Sequence, residues 1–415
     1  MVPGRGSLSG GGHASGGPVP PFAMLAAMIS RRAEHPPVDV VVIGAGIIGC
    51  AAAAILADRG ASVALVEGVG VGAGASGRNL GAIQHPFDAA LAPLYHESLT
   101  RYRALAQRPG AGFGLGREPA GLLLLNPDPD AAARQAKRLA AAMPELAPEL
   151  LDPEALGDLE PSLARGPAAV RLATGYPVPP ASVTAAWASL AAAGGARMAV
   201  GSSARPTISG GRAVGATLGD GTTIDAGAVL VAAGPWSPRL VDPGGTWQPI
   251  AATWGVTVQL RLGVAAPRHI VEEDEVDAVN RAAAATERAA ATSHTDPPSV
   301  FSIASAAGVS TIGSTFLPDE PDAARIEPLL LDRAAAFLPA VAEAEVVGRR
   351  VCARPQSVDG RPFIGPVAGI EGLFICAGHG PWGVSTGPAS AAIAARSILD
   401  GTRPPAELDA SRPLA

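Results

Sequence analysis

The stretch from Val38 to Glu67 constrains the fold of this chain more than any other. A β-branched run, Val38 to Ile43, enters a glycine-rich turn, and an alanine-rich segment then leads to a second apolar run that ends at Glu67. Two buried strands joined by a helix-length segment form a βαβ unit with a parallel strand pair. The sequence therefore predicts an α/β fold.

The glycines of this turn have separate physical tasks. Gly44 permits a tight turn after the strand, Gly46 lets the backbone approach a pyrophosphate, and Gly49 lets the helix pack against the strands. The helix N-terminus directs its N–H groups at the phosphates. Glu67 stands where a carboxylate accepts hydrogen bonds from ribose hydroxyls. The spacing predicts a dinucleotide site, for FAD or NAD.

Composition limits the partners of the chain. At 415 residues two domains are expected, and a net charge of −6 with 16% charged residues leaves no basic face for nucleic acid. Cys50, Cys352 and Cys376 are too few and too scattered for a disulfide framework or a metal site, which fits a reducing cytoplasm. Lys137 is the sole lysine. We expect a cytoplasmic protein that binds small molecules.

The first 37 residues are rich in Gly, Ser and Pro. This composition predicts a disordered extension, or a start site placed too early, with Met24 or Met28 as later candidates. The apolar run at 22–29 is too short for a membrane span, and its arginine pair follows the run where a secretory signal needs charge in front. We predict no membrane span.

Periodicity gives a coarse order of elements for the rest of the chain. We expect helices near 89–106, 130–143, 182–193, 321–337 and 386–399, and strands at 112–125, 197–200, 213–218, 228–232 and 373–376. A second, antiparallel region is expected to begin at 249–262 and to include a hairpin at 300–303 and 310–314. The charged segment 271–294 is an exposed helix or a mobile excursion.

Four further segments stand out, and the first of them, a loop of small residues, can lie against a large flat ring. They are the small-residue loop that ends in Gly77-Arg78-Asn79, the strand end Ala233-Gly234-Pro235-Trp236, the segment from Arg354 to Gly365, and the turn Gly378-His379-Gly380 before the last helix. A strand, a glycine turn and a helix in that order direct a positive helix end at an electron-rich group.

These segments, with the first turn and its acid, resemble the D-amino-acid oxidase (DAO) family of FAD-dependent oxidoreductases, which includes glycine oxidase, D-amino-acid dehydrogenase and sarcosine oxidase. The resemblance spans Val38 to Gly401. It implies an α/β fold, α+β overall, with a non-contiguous Rossmann-like FAD-binding domain and an antiparallel-sheet substrate domain. We assign 38–88, 150–245 and 345–415 to the first domain, and 89–149 and 246–344 to the second.

The resemblance also implies which residues bind FAD. His379 and its neighbours would lie by the pyrimidine edge of the flavin, where the helix dipole stabilises the negative charge of the reduced ring. Val200 would meet the adenine through its backbone. The predicted cofactor-binding residues are Gly44, Gly46, Ile47, Ile48, Gly49, Glu67, Ser76, Arg78, Asn79, Gly81, Ala82, Val200, Gly234, Gly378, His379, Gly380, Trp382 and Gly383.

Arg354 and His379 are the predicted catalytic residues. A guanidinium grips a substrate carboxylate with two parallel hydrogen bonds and so fixes the α-carbon over the flavin. The alternative for Arg354 is a surface side chain that is ion-paired to a carboxylate such as Asp359. Four other side chains either line the pocket or simply pack: Tyr176, His85, Trp254 and Ser302.

Cys352 lies where sarcosine oxidase-like members carry a cysteine linked covalently to the flavin. Members with a free flavin carry small residues there, so FAD is expected to be non-covalent, with a covalent link at Cys352 as the alternative. The oxygen-activating lysine of that subgroup has no counterpart, since Lys137 lies in a predicted peripheral helix.

The expected function is oxidation of the C–N bond of a small amino acid, a D-amino acid, glycine or an N-methyl type, to an imine by hydride transfer to flavin N5. Hydride transfer from a neutral amine requires no strong side-chain base. Two alternatives remain: a 2-hydroxy-acid dehydrogenase, which needs a histidine base such as His379 or His85, and a flavin-binding subunit of a larger oxidoreductase. The electron acceptor is oxygen, a quinone or a partner protein.

Overall fold

A computed structural model describes residues 36–274 and 299–414 of the chain. The predicted extension at 1–37, apart from its last two residues, and most of the charged segment 271–294 lie outside these ranges. The strands, numbered in chain order, are β1 (Val38–Ile43), β2 (Val63–Glu67), β3 (Ala82–Ile83), β4 (Leu122–Asn126), β5 (Glu149–Leu151), β6 (Ala168–Leu172), β7 (Tyr176–Pro177), β8 (Arg197–Val200), β9 (Ala204–Ser209), β10 (Arg212–Leu218), β11 (Thr223–Val231), β12 (Ile250–Arg261), β13 (Ile270–Glu273), β14 (Ser299–Ala306), β15 (Val309–Thr315), β16 (Glu345–Ser357), β17 (Phe363–Pro366) and β18 (Leu373–Ala377). The helices are α1 (Ile47–Asp58), α2 (Ala75–Arg78), α3 (Ala92–Ala106), α4 (Pro129–Ala142), α5 (Pro153–Leu159), α6 (Pro180–Ala193), α7 (Ser237–Val241), α8 (Ala323–Phe337) and α9 (Gly383–Asp400).

The predicted βαβ unit is confirmed. Strands β1 and β2 pair in parallel, with Val40 opposite Val63, and α1 connects them. They belong to an eight-stranded sheet in the order β17-β18-β11-β1-β2-β8, which β10 and β9 extend from β11. Strand β11 is also parallel to β1. Ligands bind at the carboxyl ends of such strands, which here are followed by Gly44, Gly68 and Ala232.

The strands of this first sheet are apolar on both sides, so both faces are covered. Helices cover one of them. Helices α1, α3, α6 and α9 enclose a core that includes Leu56, Leu65, Tyr102 and Trp187. The alanines in the middle of α1 are fully or almost fully buried, and their small side chains let α9 pack closely on α1. The opposite face packs against residues of β10 and α7.

The second sheet carries apolar and polar residues at alternate positions. Its order is β16-β12-β15-β14-β13-β4-β6-β5, and β4 with β13 is its parallel pair. Val256, Val258 and Ile303 belong to a core shared with α8. Because successive side chains in a strand point to opposite faces, Thr257 and Ser302 face away from that core, toward the first sheet. A central cavity lies on that side.

Two segments pair differently from the predicted domain division. Strands β6 and β16 lie in the second sheet, although 150–245 and 345–415 were assigned to the FAD-binding domain. The sheets are joined by pairings between residues far apart in sequence, and local periodicity does not specify those pairings. The segment 271–294 also begins within β13. The division into two domains itself stays a prediction.

Within residues 36–274 and 299–414, no helix is long and apolar enough to cross a bilayer.

Candidate functional site

The turn between β1 and α1 holds the backbone in close contact with its neighbours. Gly44 has φ of 108°, a region that favours glycine, and a Cβ there would lie 2.5 Å from the carbonyl oxygen of Ala232. A Cβ on Gly49 would lie 1.8 Å from the carbonyl oxygen of Gly44. Any side chain at these positions would force strand and helix apart. The turn therefore brings the N-terminus of α1 to the carboxyl end of β1.

Glu67 closes this region from β2. Its carboxylate accepts hydrogen bonds from the N–H groups of Ala45 (2.9 Å) and Val69 (2.8 Å), so the side chain is fixed beside the glycine turn. The N–H of Ile47, in the first turn of α1, donates to Ser76 Oγ at 2.9 Å. The acid and the helix N-terminus thus face one cavity, as the sequence predicted.

The loop after Ser76 is folded by Asn79. Its side-chain amide donates to the carbonyls of Ala75 and Ser76, and its oxygen accepts from the N–H of Gly81. Arg78 extends the loop to the second sheet, where its guanidinium donates to the carbonyl of Val351 at 3.1 Å. The loop therefore bridges the two sheets along the cavity.

His379 lies at the opposite side of the cavity, before α9. Its ring is 1% exposed, and neither ring nitrogen has a hydrogen-bond partner among the described residues. Burial lowers the pKa of His379 to about 3, because a charged imidazolium would lose its hydration. The ring is therefore neutral at physiological pH. Gly380 and Gly383 follow it and direct the N-terminus of α9 into the same space.

Arg354 projects from β16 onto the cavity wall. Its guanidinium donates to the carbonyl of Thr315 at 3.0 Å and to Ser314 Oγ, and it lies 4.9 Å from the ring centroid of Phe316. Burial lowers the pKa of Arg354 from its usual value. No carboxylate of residues 36–274 and 299–414 is paired with it.

The alternative interpretation of Arg354 was wrong. Asp359 is ion-paired with Arg412, at 2.8 Å, because the chain turns at Gly360 and brings Asp359 toward the C-terminal segment. A half-buried guanidinium with neutral partners can still bind a negatively charged ligand, since carbonyl and hydroxyl oxygens do not neutralise it.

These groups enclose one cavity of about 860 Å³ between the two sheets. Trp254 and Ser302 also line it, whereas Tyr176 and His85 do not. The predicted residues that line it are Gly44, Gly46, Ile47, Ile48, Glu67, Ser76, Arg78, Asn79, Ala82, Gly234, Cys352, Arg354, His379, Gly380, Trp382 and Gly383.

Four predicted residues lie outside this lining. Gly49 packs on the Gly44 carbonyl, Gly81 would meet the carbonyl of Val178, and Gly378 would meet Ile250 and Phe363. Each is a packing glycine next to the cavity rather than part of its wall. Val200 is 48% exposed and pairs with Glu67 across β2 and β8. Its contact with an adenine stays a prediction.

Sequence reasoning missed several polar residues of the cavity wall, among them two glutamines and an acid. Gln84, Gln135 and Glu272 are each less than 9% exposed, and each lines the cavity. Glu272 carried one signal, an acid directly after the apolar pair Ile270 and Val271, but the charged segment that follows concealed the strand.

Cys352 is buried on the cavity wall, two positions before Arg354. Burial raises the pKa of its thiol, although the charges of Arg354, Arg78 and Arg350 act in the opposite direction. The three cysteines of the chain are all buried and free. The Cys352 thiol is therefore protonated at neutral pH.

Comparison with known families matches residues 39–397 to the DAO family, described as FAD dependent oxidoreductase. The chain belongs to the DAO family. A glycine oxidase of Pseudomonas aeruginosa is 30% identical over 383 residues, covering 88% of this chain and 95% of that protein. The predicted family, fold class and cofactor are confirmed.

Solved structures agree with this fold. The glycine oxidase from Geobacillus kaustophilus has a TM-score of 0.76 at 25% identity, covering 92% of this chain and 100% of that one. An iminodiacetate oxidase from Chelativorans sp. BNC1 has a TM-score of 0.75 at 24% identity, covering 91% and 100%. The second likeness shows the fold alone.

The cavity residues fit the FAD of the DAO family. The glycine turn leaves space that a Cβ would remove, and Glu67 is held beside it. At the far side, the orphaned nitrogens of His379 and the N-terminus of α9 offer partners to a polar ring edge. These features lie along one continuous wall, as an extended dinucleotide requires.

Proposed function

We propose that this enzyme oxidises the C–N bond of a small amino acid, a D-amino acid, glycine or an N-methyl type, to an imine. The observation that carries the proposal is Arg354, a half-buried guanidinium on the wall of the FAD cavity whose hydrogen-bond partners among the described residues are neutral oxygens. Such a group is suited to the carboxylate of a substrate. The glycine oxidase relative supports the same class of substrate.

The bound FAD would supply a two-electron acceptor. Gly44, Gly46 and Glu67 would hold its ADP half, and the residues of the loop at 76–82 would follow the pyrophosphate. Arg354 would hold the substrate carboxylate, and the stacked ring of Phe316 restricts the guanidinium to one orientation. The neutral His379 and the N-terminus of α9 would stabilise negative charge at the pyrimidine edge of the ring.

The test is substitution of Arg354 in the FAD-loaded enzyme. Arg354→Gln should raise KM for the amino-acid substrate about 100-fold or more, because two charge-assisted hydrogen bonds are lost. The KM of Arg354→Lys should lie between those of the wild type and Arg354→Gln, since an ammonium keeps the charge but lacks the planar fork of a guanidinium. Anaerobic bleaching of the flavin band by a panel of glycine, sarcosine, proline and D- and L-amino acids provides the measurement.

The matched control is Arg349→Gln. Arg349 lies on the same strand, is exposed, and pairs with Glu327 outside the cavity, so KM should not change. An unchanged KM for Arg354→Gln would refute the assignment. Bleaching by 2-hydroxy acids instead of amines would favour the hydroxy-acid alternative, and a flavin that no small molecule reduces would favour a subunit of a larger complex.

A further inference from the structure

An acidic side chain, Glu272, lines the cavity from strand β13 of the second sheet. Glu272 of β13 is 6% exposed and lies opposite Ser302 of β14, which in turn lies opposite Gly313 of β15. Val271 belongs to the core shared with α8, so Glu272 points to the other face of the sheet. The carboxylate and Arg354 therefore lie on the same wall.

Two buried glutamine side chains also line the cavity, and one of them contacts this acid. Gln84 Nε2 donates to both carboxylate oxygens of Glu272, at 3.2 and 3.4 Å. Gln135 of α4 lines the same cavity from the helix that packs on β4, the strand next to β13. We call Glu272, Gln84 and Gln135 the acidic end of the cavity.

The acidic end contains three acceptor groups, the carboxylate of Glu272 and the amide oxygens of Gln84 and Gln135. A carboxylate only accepts, so Gln84 must present its nitrogen to Glu272. Its Oε1 is then left buried without a partner among the described residues, and the same holds for Gln135 Oε1. Buried acceptors of this kind cost free energy until a donor meets them. The acidic end is thus suited to a ligand with N–H groups.

The distance between the acidic end and Arg354 suits a compact ligand. The guanidinium is held at Ser314 and Thr315 of β15, two strands from Glu272. Two strand spacings amount to roughly 10 Å, and a hydrogen-bonded contact at each end takes up ~3 Å. The carboxylate carbon and nitrogen of an α-amino acid lie about 2.5 Å apart, so one molecule reaches both ends.

We propose that Glu272 binds the amino group of the substrate and accepts its proton before oxidation. This inference rests on the proposed function. The ammonium form of the amine transfers one proton to a carboxylate oxygen of Glu272, which leaves the nitrogen lone pair free. Hydride then leaves the α-carbon for the FAD oxidant, and the lone pair forms the C=N bond of the iminium product. Glu272 later returns the proton to solvent.

Gln84 is a positioning residue in this arrangement. Its side chain orients the carboxylate of Glu272, and its backbone N–H donates to Ser385 Oγ of α9 at 3.0 Å. It therefore ties the acidic end to the helix that starts beside His379. A shorter side chain should misplace the carboxylate without removing it.

The experiment uses the FAD-loaded enzyme and follows flavin reduction and ligand binding across pH. Glu272→Gln should lower kcat/KM for the amine at neutral pH by about 100-fold or more. The acidic limb of its pH profile should move to higher pH and follow the ionisation of the substrate ammonium instead of that of Glu272. Glu272→Asp should restore part of the rate. Gln84→Asn should shift the limb while the flavin content stays normal. The exposed Glu343→Gln is the charge-matched control and should change nothing.

The acidic limb of the pH profile must be distinguished from the titration of the other charged groups in the cavity. These are Glu67, Arg78, Arg138, Glu273, Asp274, Glu320 and Arg354, together with the titratable but neutral side chains Cys352 and His379. A limb that stays at the wild-type pH in Glu272→Gln would belong to one of them and would overturn the proposal, as would a rate within about threefold of the wild-type rate.

A binding measurement separates this inference from the proposed function. Alanine and propionate differ by the amino group alone, and each is titrated against the flavin absorption band. The wild-type enzyme should bind alanine more tightly than propionate, and Glu272→Gln should remove the preference while its Kd for propionate is unchanged. If no amine reduces the wild-type enzyme, the proposed function fails. A preference that survives in Glu272→Gln would overturn the inference, whether or not any amine reduces the flavin.

Discussion

The glycine turn of the first sheet and the cavity wall of the second sheet place their functional groups by different means. At the turn, backbone atoms face the ligand, and the contacts of Gly44 and Gly49 leave no space for a Cβ. On the wall, side chains face the ligand from alternate positions of strands. Glu272 and Ser302 do so, while their neighbours Val271 and Phe301 fill the core behind them.

The difference predicts how each region responds to substitution. A backbone site has no alternative geometry, because a changed residue moves the strand and the helix together. A wall of alternating side chains tolerates change at single positions, since the core face keeps the strand in place. Substitution at the turn should therefore affect folding and cofactor binding together, whereas substitution on the wall should affect chemistry and leave the fold intact.

The largest expected effect is that of Gly49→Ala. The new Cβ would lie 1.8 Å from the Gly44 carbonyl oxygen and 3.4 Å from Val42 Cγ1. Because backbone must move to relieve this contact, we expect a loss of about 3 kcal/mol of stability and a loss of bound flavin. The flavin-to-protein absorbance ratio and Tm measure both.

The control is Gly157→Ala in α5. A Cβ at Gly157 meets no atom within 4 Å, and alanine in a helix interior is favoured over glycine by about 1 kcal/mol. This variant should be slightly more stable and keep its flavin. If Gly49→Ala were equally tolerated, the contrast between a rigid turn and an adaptable wall would fail.

His379 combines the two regions, since a glycine turn carries it and its side chain faces the cavity. In the cofactor-free protein its pKa is lowered from 6.5 to about 3. Between these values the unfolded chain binds a proton that the folded chain does not, so stability falls as pH falls through this range. The loss should approach about 1.4 kcal/mol per pH unit.

Comparison with His379→Gln isolates this contribution. Other groups also titrate in acid, for example Asp88 and Glu160, whose pKa values are lowered. They are present in both proteins and cancel in the difference. The variant should lose less stability between pH 6.5 and about 3 than the wild type, as denaturant titrations at several pH values would measure. If the free energies of unfolding of the two proteins changed with pH in parallel, His379 would be protonated in the folded state as it is in the unfolded chain.

The same contrast explains what the sequence could predict. The β1–α1–β2 unit, Glu67, the loop at Ser76 and the turn at His379 were all predicted, because local rules specify them: glycine geometry, helix ends and strand ends. Arg354 was predicted because the segment from Arg354 to Gly365 resembles the DAO family. Each of these signals is contained within a few consecutive residues.

The acidic end was not predicted because nothing local specifies it. Glu272 reaches the cavity only when β13 pairs with β14 and β4, and Leu124 of β4 lies about 150 residues before its partner in the chain. Gln135 depends on the packing of α4 over that sheet. The sheet partners of β6 and β16 were not predicted for the same reason. Strand partners and helix docking are tertiary properties, and periodicity does not contain them.

Substitution of Cys352 should have the smallest effect of these changes. It tests directly whether a side chain of the cavity wall reacts with the cofactor. A thiolate, not a thiol, is the reactive nucleophile, and burial raises the pKa of this thiol even though three arginines lie nearby. The FAD should therefore be non-covalent and appear in the supernatant after acid or heat denaturation. Cys352→Ser should change flavin affinity by less than about twofold, because it exchanges one small neutral group for another. Flavin that stays with the denatured wild-type chain, and is released from Cys352→Ser, would show that the arginines overcome burial. The wall would then form a covalent bond to its cofactor.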